Sequence, residues 1–216
     1  MNFPNIDLLF SEIEKRGFSL NNVKRRQLSG YIDLLEKFNR TTNVISRADI
    51  DFVCPRHIYD SLAPLFFNLI KPESRILDLG SGGGLPSIPL SIFLPDCKFD
   101  LLDSRGKKAR FLERVSLSLN LDNIRVFNQR LEDFSFSGYD FLSARAFLSI
   151  GRVLPYARVF LSSKGKIAFF KGPNVEIEIS SLKDFIKKTG FLRPKIIPYR
   201  NYDSDIEFNL VIFQKI

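Results

Sequence analysis

The stretch that decides the fold is Ser74-Arg75-Ile76-Leu77-Asp78-Leu79-Gly80-Ser81-Gly82-Gly83-Gly84-Leu85-Pro86. It begins with a short apolar run, which is typical of a buried parallel strand. The run ends in a loop with four glycines in five residues, and glycine reaches backbone angles that are closed to other residues. Pro86 then suits the first turn of a helix. A strand, a glycine loop and a helix in this order predict a nucleotide site at the carboxyl end of the first strand of a doubly wound sheet.

The glycine spacing excludes two common nucleotide loops. A dinucleotide loop needs G-x-G-x-x-G, but Leu85 or Ser87 takes the third glycine position in the two possible registers. No lysine follows the glycines, so the phosphate loop G-x-x-x-x-G-K-[ST] is excluded as well. What remains is an acidic residue two positions before three alternate glycines: Asp78, Gly80, Gly82 and Gly84. This spacing resembles the first motif of S-adenosylmethionine-dependent methyltransferases, whose cofactor carries an ammonium group and no phosphate. A structural glycine loop without a ligand is the alternative.

Composition limits the class of protein. The 216 residues, 44% of them apolar, suffice for one domain with a modest extension. Cys54 and Cys97 lie far apart, which predicts neither a zinc site nor a disulfide framework and fits a reducing compartment. No signal peptide or membrane span is apparent, so we expect a cytoplasmic protein. The net charge is +8, with 13 basic and 7 acidic residues in 135–216, which fits a polyanionic partner or solubility alone.

Apolar periodicity predicts the order of elements. Helices are expected at 6–16, 22–40 and 56–70, with Ser46 as the N-cap of a turn through Val53, so residues 1–72 read as a helical extension packed on the core. In 73–216 the pattern alternates. Strands are expected at 75–80, 97–103, 124–128, 139–144 and 166–171, and helices at 86–94, 105–119, 150–161 and 176–189. Two final strands, 191–199 and 206–214, have no helix between them. We therefore predict an α/β, doubly wound, Rossmann-like sheet that is mostly parallel with one antiparallel strand.

A second acidic residue follows the second predicted strand. Asp103 lies 23 residues beyond Gly80, where a carboxylate is placed to accept both ribose hydroxyls of a bound nucleoside. The alternative is a cap for the helix that begins near Arg105. The first turns of that helix carry cations that fit either a solvated face or a phosphate-binding edge: Lys107, Lys108 and Arg110.

The segment after the fourth strand, 143–147, reads Ser-Ala-Arg-Ala-Phe and occupies the position that normally faces the transferred methyl group. It lacks the Asn/Asp-Pro-Pro-aromatic motif of amino-directed methyltransferases and the cysteine of cytosine-C5 enzymes. Guanine N7 has a free lone pair and needs neither. Arg145 fits a cofactor carboxylate, an RNA phosphate or a structural salt bridge, and Lys171 ends the fifth strand on the same rim. His57 is the single histidine, and such a residue is more often packed than catalytic.

These motifs together resemble one family, the bacterial RsmG (GidB) methyltransferases, which modify guanine N7 in 16S ribosomal RNA. The resemblance covers about Leu34 to Lys171. It rests on the glycine loop and on the following segments: Arg56-His57-Ile58-Tyr59-Asp60-Ser61-Leu62, Leu102-Asp103-Ser104 with Lys107-Lys108, Phe111-Leu112, Arg130-Leu131-Glu132, Ser143-Ala144-Arg145-Ala146 and Lys171-Gly172. One departure is Ser87, where the family usually has glycine.

The resemblance implies a set of functional residues. Gly80 and Leu85 would contact S-adenosylmethionine, Leu131 and Glu132 would flank its adenine, and Arg145 would line the active site. On the residues alone, the turn that carries Leu131 and Glu132 could equally be a plain capped turn. The cations and the histidine expected to face RNA are Arg56, His57, Lys107, Lys108 and Lys171. No metal is expected.

We therefore predict a monomeric methyltransferase that acts on guanine N7 of small-subunit ribosomal RNA, with catalysis by positioning rather than by a catalytic residue. Two alternatives remain open at this point. One is a small-molecule methyltransferase with the same sheet, which would not need the basic rim. The other is a ribosome-assembly RNA-binding protein whose cofactor loop is vestigial.

Overall fold

A computed structural model describes residues 6–42, 53–203 and 205–216 of the chain. The helices are α1 (Ile6–Lys15), α2 (Asn22–Asn39), α3 (Ala63–Phe66), α4 (Ser87–Phe93), α5 (Gly106–Leu119), α6 (Ile150–Phe160), α7 (Val175–Ser181) and α8 (Lys183–Lys188). The strands are β1 (Arg75–Leu79), β2 (Lys98–Leu102), β3 (Ile124–Phe127), β4 (Tyr139–Arg145), β5 (Leu161–Lys171), β6 (Lys195–Arg200) and β7 (Glu207–Gln214). A π-helical turn (Val53–Tyr59) precedes α3, and a 3₁₀ turn (Leu131–Asp133) precedes β4.

The seven strands form one sheet in the order β3-β2-β1-β4-β5-β7-β6. Strands β1 to β5 pair in parallel, whereas β7 runs antiparallel to both of its neighbours, β5 and β6. The predicted fold class, a mostly parallel doubly wound sheet with one antiparallel strand, is confirmed. No helix in the described part of the chain is long and apolar enough to cross a membrane.

Two apolar clusters, one on each face of the sheet, form the core. Helices α1, α2, α4 and α5 pack on one face, and α6, α7 and α8 pack on the other. Helix α2 begins at Asn21, whose side chain accepts a hydrogen bond from the main-chain N–H of Lys24 at 2.9 Å. Its buried residues recur at helical spacing. The division between an extension of 1–72 and a core of 73–216 stays a prediction.

Four predicted elements differ from the structure, and one of them is β6, which begins at Lys195 rather than at residue 191. The helix expected over 56–70 is instead the π-helical turn followed by the short α3, because Pro64 has no N–H for a continuous helical ladder. The helix expected over 176–189 divides at Leu182 into α7 and α8. Strand β5 begins at Leu161, five residues before the predicted start, because Leu161 already pairs with Tyr139 of β4. A register shift follows, and within it Lys164 takes a positive φ of 61°. The predicted turn from Ser46 lies outside the described residues.

Candidate active site

A cavity of about 320 Å³ opens at the carboxyl edge of the sheet, beside the switch point between β1 and β4. The loops after β1, β2 and β4 and the 3₁₀ turn supply its walls, and the lining residues are Gly80, Leu102, Asp103, Ser104, Arg105, Lys108, Gln129, Leu131, Ala146 and Phe147. Open α/β sheets bind ligands at such a crevice, and the volume lies within the range of small-molecule sites. Of the nine predicted cofactor residues, Gly80, Asp103 and Leu131 line this cavity.

The glycine loop is held close to β2. The main-chain N–H groups of Gly80 and Ser81 both donate to the carbonyl of Leu102, at 2.9 and 3.0 Å. Gly80 has a φ of 70°, and a Cβ built there would lie 2.2 Å from the ring of Phe147. Ala146 turns the chain with a φ of 48° and directs that ring onto the loop. Glycine is therefore required at position 80 for both the backbone angle and the close approach.

Asp103 connects the loop to α5. One carboxylate oxygen accepts from the main-chain N–H of Gly82 at 2.9 Å, and the other accepts from the N–H of Arg105 at 2.9 Å. The side chain is 8% exposed, yet the residue lines the cavity. Asp103 therefore hydrogen-bonds the start of α5, as the capping alternative requires, and ribose binding by the same residue stays a prediction.

Asp78 lies beneath the glycine loop rather than in the cavity. Its side chain is 1% exposed, and one carboxylate oxygen accepts from the Ser143 hydroxyl at 2.6 Å. Burial raises the pKa of Asp78 from 3.8 to about 6, although hydrogen bonding from Ser143 opposes the shift. The carboxylate therefore joins the end of β1 to β4 and supports the loop from below.

The raised pKa of Asp78 predicts a pH-dependent stability. The folded state binds a proton on Asp78 more tightly than the unfolded state does. The stabilisation of the fold by this proton is therefore complete below about pH 3.8 and is lost as the pH rises through about 6. Relative to Asp78→Asn, the wild-type free energy of unfolding should fall by about 2 kcal/mol between about pH 4.5 and 7.5. Urea unfolding at the two pH values measures this change. Asp122→Asn, at an exposed position, is the control, and parallel pH profiles for wild type and Asp78→Asn would contradict the assignment.

Arg145 lies in a buried polar cluster with residues of the segment that precedes α3. Its guanidinium forms an ion pair with Asp60 at 3.0 Å, and it also donates to the main-chain carbonyl of His57 and the hydroxyl of Ser61, each at 3.1 Å. Tyr199 donates to the same Asp60 carboxylate. Burial raises the pKa of Asp60, against the opposing charge of Arg145. Of the roles that the sequence left open for Arg145, the salt bridge is the one present in the structure.

His57 also belongs to this cluster. A guanidinium can only donate, so the contact of 2.9 Å between Nη2 of Arg145 and Nδ1 of His57 makes Nδ1 an acceptor. A neutral imidazole then carries its proton on Nε2. This contact orients the ring toward Arg145, which fits the packed reading of the lone histidine.

The remaining predicted residues are distributed around the cavity. Gly82 and Gly84 have positive φ values of 57° and 95°, and a Cβ on Gly84 would lie 2.4 Å from Ile88 of α4. Leu85 is half-buried, and Glu132 is exposed beside the cavity wall at Leu131. The predicted RNA-facing residues separate into four places. Lys108 lines the cavity, Lys107 is exposed on α5, and Lys171 forms an ion pair with Glu178 at 2.9 Å. Arg56 lies next to His57 in the π-helical turn.

A model of the family described as rRNA small subunit methyltransferase G (GidB) matches residues 24–198, which is most of the chain. The chain belongs to the GidB family. The predicted family resemblance is thereby confirmed, and the match includes α2 together with the whole cavity.

Curated GidB relatives are similar along most of their length. The ribosomal RNA small subunit methyltransferase G of Enterobacter sp. (strain 638) is 36% identical over 80% of this chain and 82% of its own. The protein of the same name from Yersinia enterocolitica is 34% identical over 95% of this chain and 97% of its own.

Solved structures with a similar fold include a SAM-dependent O-methyltransferase from Thermotoga maritima and tRNA (m1A58) methyltransferase TrmI from Aquifex aeolicus. The first has a TM-score of 0.61 and 15% identity over 86% of this chain and 71% of that one. The second has a TM-score of 0.57 and 15% identity over 73% and 68%. At these identities the likeness shows the fold alone.

Tyr31 is a site residue of this GidB chain that the sequence did not reveal, because its helical spacing marks it only as part of the core face of α2. Its hydroxyl, fully buried, donates to the main-chain carbonyl of Gly83 at 2.8 Å. The residue fixes α2 against the glycine loop. Sequence alone offered no signal for this contact, since a buried tyrosine pairs with whatever carbonyl the fold brings to it.

Tyr31→Phe should therefore lower the free energy of unfolding by about 1 kcal/mol, since it removes one buried hydrogen bond and leaves the Gly83 carbonyl without that donor. Cofactor affinity should fall a few-fold with it, because the loop loses a support. Urea unfolding and calorimetric titration measure the two effects. Tyr156→Phe, on the other face of the sheet in α6, is the matched control. Unchanged stability in Tyr31→Phe would show that the contact is not formed in solution.

Proposed function

We propose that this chain transfers a methyl group from S-adenosylmethionine to N7 of a guanine in 16S ribosomal RNA. The observation that carries the proposal is the cavity beside β1 and β4, whose walls include both Gly80 and Asp103, in a chain of the GidB family. The cytoplasm, where small ribosomal subunits are found in bacteria, is the compartment we infer, and a monomer is the form we propose.

The residues present fit the cofactor. S-adenosylmethionine, when bound, supplies an electrophilic methyl group on its sulfonium. Asp103 would accept from the ribose hydroxyls, and Leu131 would cover one face of the adenine. Gly80 offers main chain without a side chain, and Phe147 bounds the same part of the cavity. Asp78 and Tyr31 act indirectly, because both hold the glycine loop in shape.

Positioning is the catalytic principle that follows from this arrangement. Guanine N7 has a lone pair in the neutral base, so no proton must leave before methylation and a general base contributes nothing. Among the described residues that line the cavity, none is a histidine or a cysteine. Arg145 ends β4 next to Ala146 of the cavity wall, and its guanidinium is held by Asp60, so its part is to fix the end of β4 rather than to transfer a proton.

Single-turnover methylation should therefore change less than about twofold between about pH 6.5 and 9, the range in which an ordinary histidine base would complete its titration. Rapid-quench assays with radiolabelled S-adenosylmethionine and 16S RNA measure this rate. A steep rise with pH that disappears in His57→Ala would mean that a proton is removed and that an amino or hydroxyl group is the target. In that case N7 would be the wrong atom.

The deciding experiment is nucleoside mass spectrometry of 16S RNA from a strain that lacks the gene. We expect one 7-methylguanosine per 16S molecule to disappear and to return with the wild-type gene but not with Asp103→Ala. Return of the modification with Asp103→Ala would favour a cofactor site elsewhere. An unchanged nucleoside content, with a defect in subunit assembly, would favour the vestigial RNA-binding alternative.

A further inference from the structure

A second concave surface, also of about 320 Å³, lies between α2 and α5. Its floor is a stacked aromatic pair, Phe38 of α2 and Phe111 of α5, whose ring centroids are 4.0 Å apart at an interplanar angle of 5°. Four cationic side chains surround that floor: Lys37, Lys107, Arg110 and Arg114. We call this surface the basic groove.

The charges of the basic groove are unbalanced. None of the described residues that line it is acidic, and all four cations are exposed. Within residues 6–42, 53–203 and 205–216, no carboxylate forms an ion pair with any of them. Arg110 and Arg114 are four residues apart on one helix, a spacing at which like charges destabilise the helix by about 0.2–0.5 kcal/mol. Exposed cations grouped in this way create a positive potential that attracts anions along this face.

We infer that the basic groove binds the phosphodiester backbone of the RNA substrate, an inference that rests on the proposed function. Lys107, Arg110 and Arg114 lie along α5 within eight residues, and the first and last are about 10 Å apart along the helix axis. This length corresponds to roughly three nucleotides of a stacked strand at about 3.4 Å each. Several phosphates of one strand can therefore meet cations at once, while the apolar floor accepts sugar or base surfaces.

The groove also lies beside the cavity. Lys107 and Lys108 are consecutive at the start of α5, and Lys107 faces the basic groove while Lys108 lines the cavity. An RNA strand along the groove would consequently pass the amino end of α5, where the groove and the cavity are lined by consecutive residues. The groove thus holds RNA that flanks the target nucleotide, rather than the nucleotide itself.

The test is a double variant, Arg110→Ala with Arg114→Ala, in the full chain. Both side chains are exposed, so folding should be unaffected, and thermal unfolding checks this. The matched control is Arg158→Ala with Arg193→Ala, which removes the same charge from exposed positions at α6 and before β6. Filter binding to protein-free 16S RNA and to small ribosomal subunits is measured across salt concentrations, together with the affinity for S-adenosylmethionine.

For the groove variant we expect the Kd for both RNA forms to rise at least tenfold and the slope of log Kd against log salt to fall by about 1.5, since each lost phosphate contact removes about 0.7–0.9. Cofactor affinity should stay within twofold. Arg110→Lys with Arg114→Lys keeps the charges and should retain the slope. A Kd and slope equal to those of the control variant would overturn the inference. A loss confined to assembled subunits would also overturn it, because the occupant would then be a ribosomal protein.

This result is separate from the fate of the proposed function. Binding and its salt slope are read without catalysis, whereas the proposed function is decided by the nucleoside content of 16S RNA. If the protein modifies no guanine but the groove variant binds RNA more weakly, the proposed function is wrong and the inference about the basic groove stands. If the protein methylates 16S RNA but the groove variant binds RNA as the wild type does, the proposed function stands and the inference about the basic groove is wrong.

Discussion

Replacing Asp60 by alanine is expected to lower the free energy of unfolding by about 3 kcal/mol. Asp60 is 5% exposed, and its carboxylate pairs with Arg145, whose side chain is largely buried. Removing one member of such a buried pair leaves the other charge uncompensated, which typically costs about 3–5 kcal/mol. The lower figure applies because Arg145 retains its hydrogen bonds to His57 and Ser61.

Urea unfolding measures this loss, and Tyr199→Phe is its control. That variant removes the hydroxyl that donates to Asp60 but keeps the ion pair, so it should cost only about 1 kcal/mol. A further variant, Asp60→Leu with Arg145→Met, removes both charges and should recover part of the loss. If Asp60→Ala unfolds with the same free energy as Tyr199→Phe, then the ion pair is not formed in solution.

Asp103→Ala should weaken S-adenosylmethionine binding by about 2–4 kcal/mol, or roughly 30- to 1,000-fold in Kd. Two charge-assisted hydrogen bonds to the ribose would be lost. In the wild type the same carboxylate accepts hydrogen bonds from the main-chain N–H groups of Gly82 and Arg105. The variant removes this acceptor, so the shape of the cavity wall changes as well.

Isothermal titration calorimetry on the folded variant measures this affinity. Asp122→Ala, beyond the far end of α5, removes an exposed carboxylate of the same type and should bind like wild type. Asp103→Asn separates the two effects, because its amide oxygen can still accept one of the main-chain hydrogen bonds while the charge is gone. Wild-type affinity in Asp103→Ala would move the ribose site to another residue.

The sheet could be predicted from sequence because each buried strand is a short apolar run bounded by turn residues. The breaks within helical segments could not, since they depend on tertiary context. Residues 176–189 keep a helical pattern across Leu182, where the structure divides them into α7 and α8. Strand β5 likewise extends back to Leu161, which pairs with Tyr139 of β4, and the run Ser162-Ser163-Lys164-Gly165 lies where the register between the two strands shifts.

The candidate site likewise contains residues that could be predicted from local sequence and contacts that could not. Gly80 and Asp103 follow strands β1 and β2, and parallel strands bring their carboxyl ends to one edge, so local sequence sufficed to place both at the cavity. Asp60 and Arg145 are 85 residues apart, and Tyr31 meets Gly83 across 52. No local pattern announces such contacts, because a buried donor and its acceptor are matched only when the chain has folded.

The position of β7 between β5 and β6 has a consequence for the exposure of strand edges. Strand β7 satisfies the main-chain hydrogen-bonding groups of both neighbours, whereas β6 pairs with β7 alone. An open, apolar strand edge is a template for misplaced pairing. Shortening β7 would therefore open the edge of β5 and leave β6 without its neighbour at the same time, and a chain so altered should associate with other copies of itself.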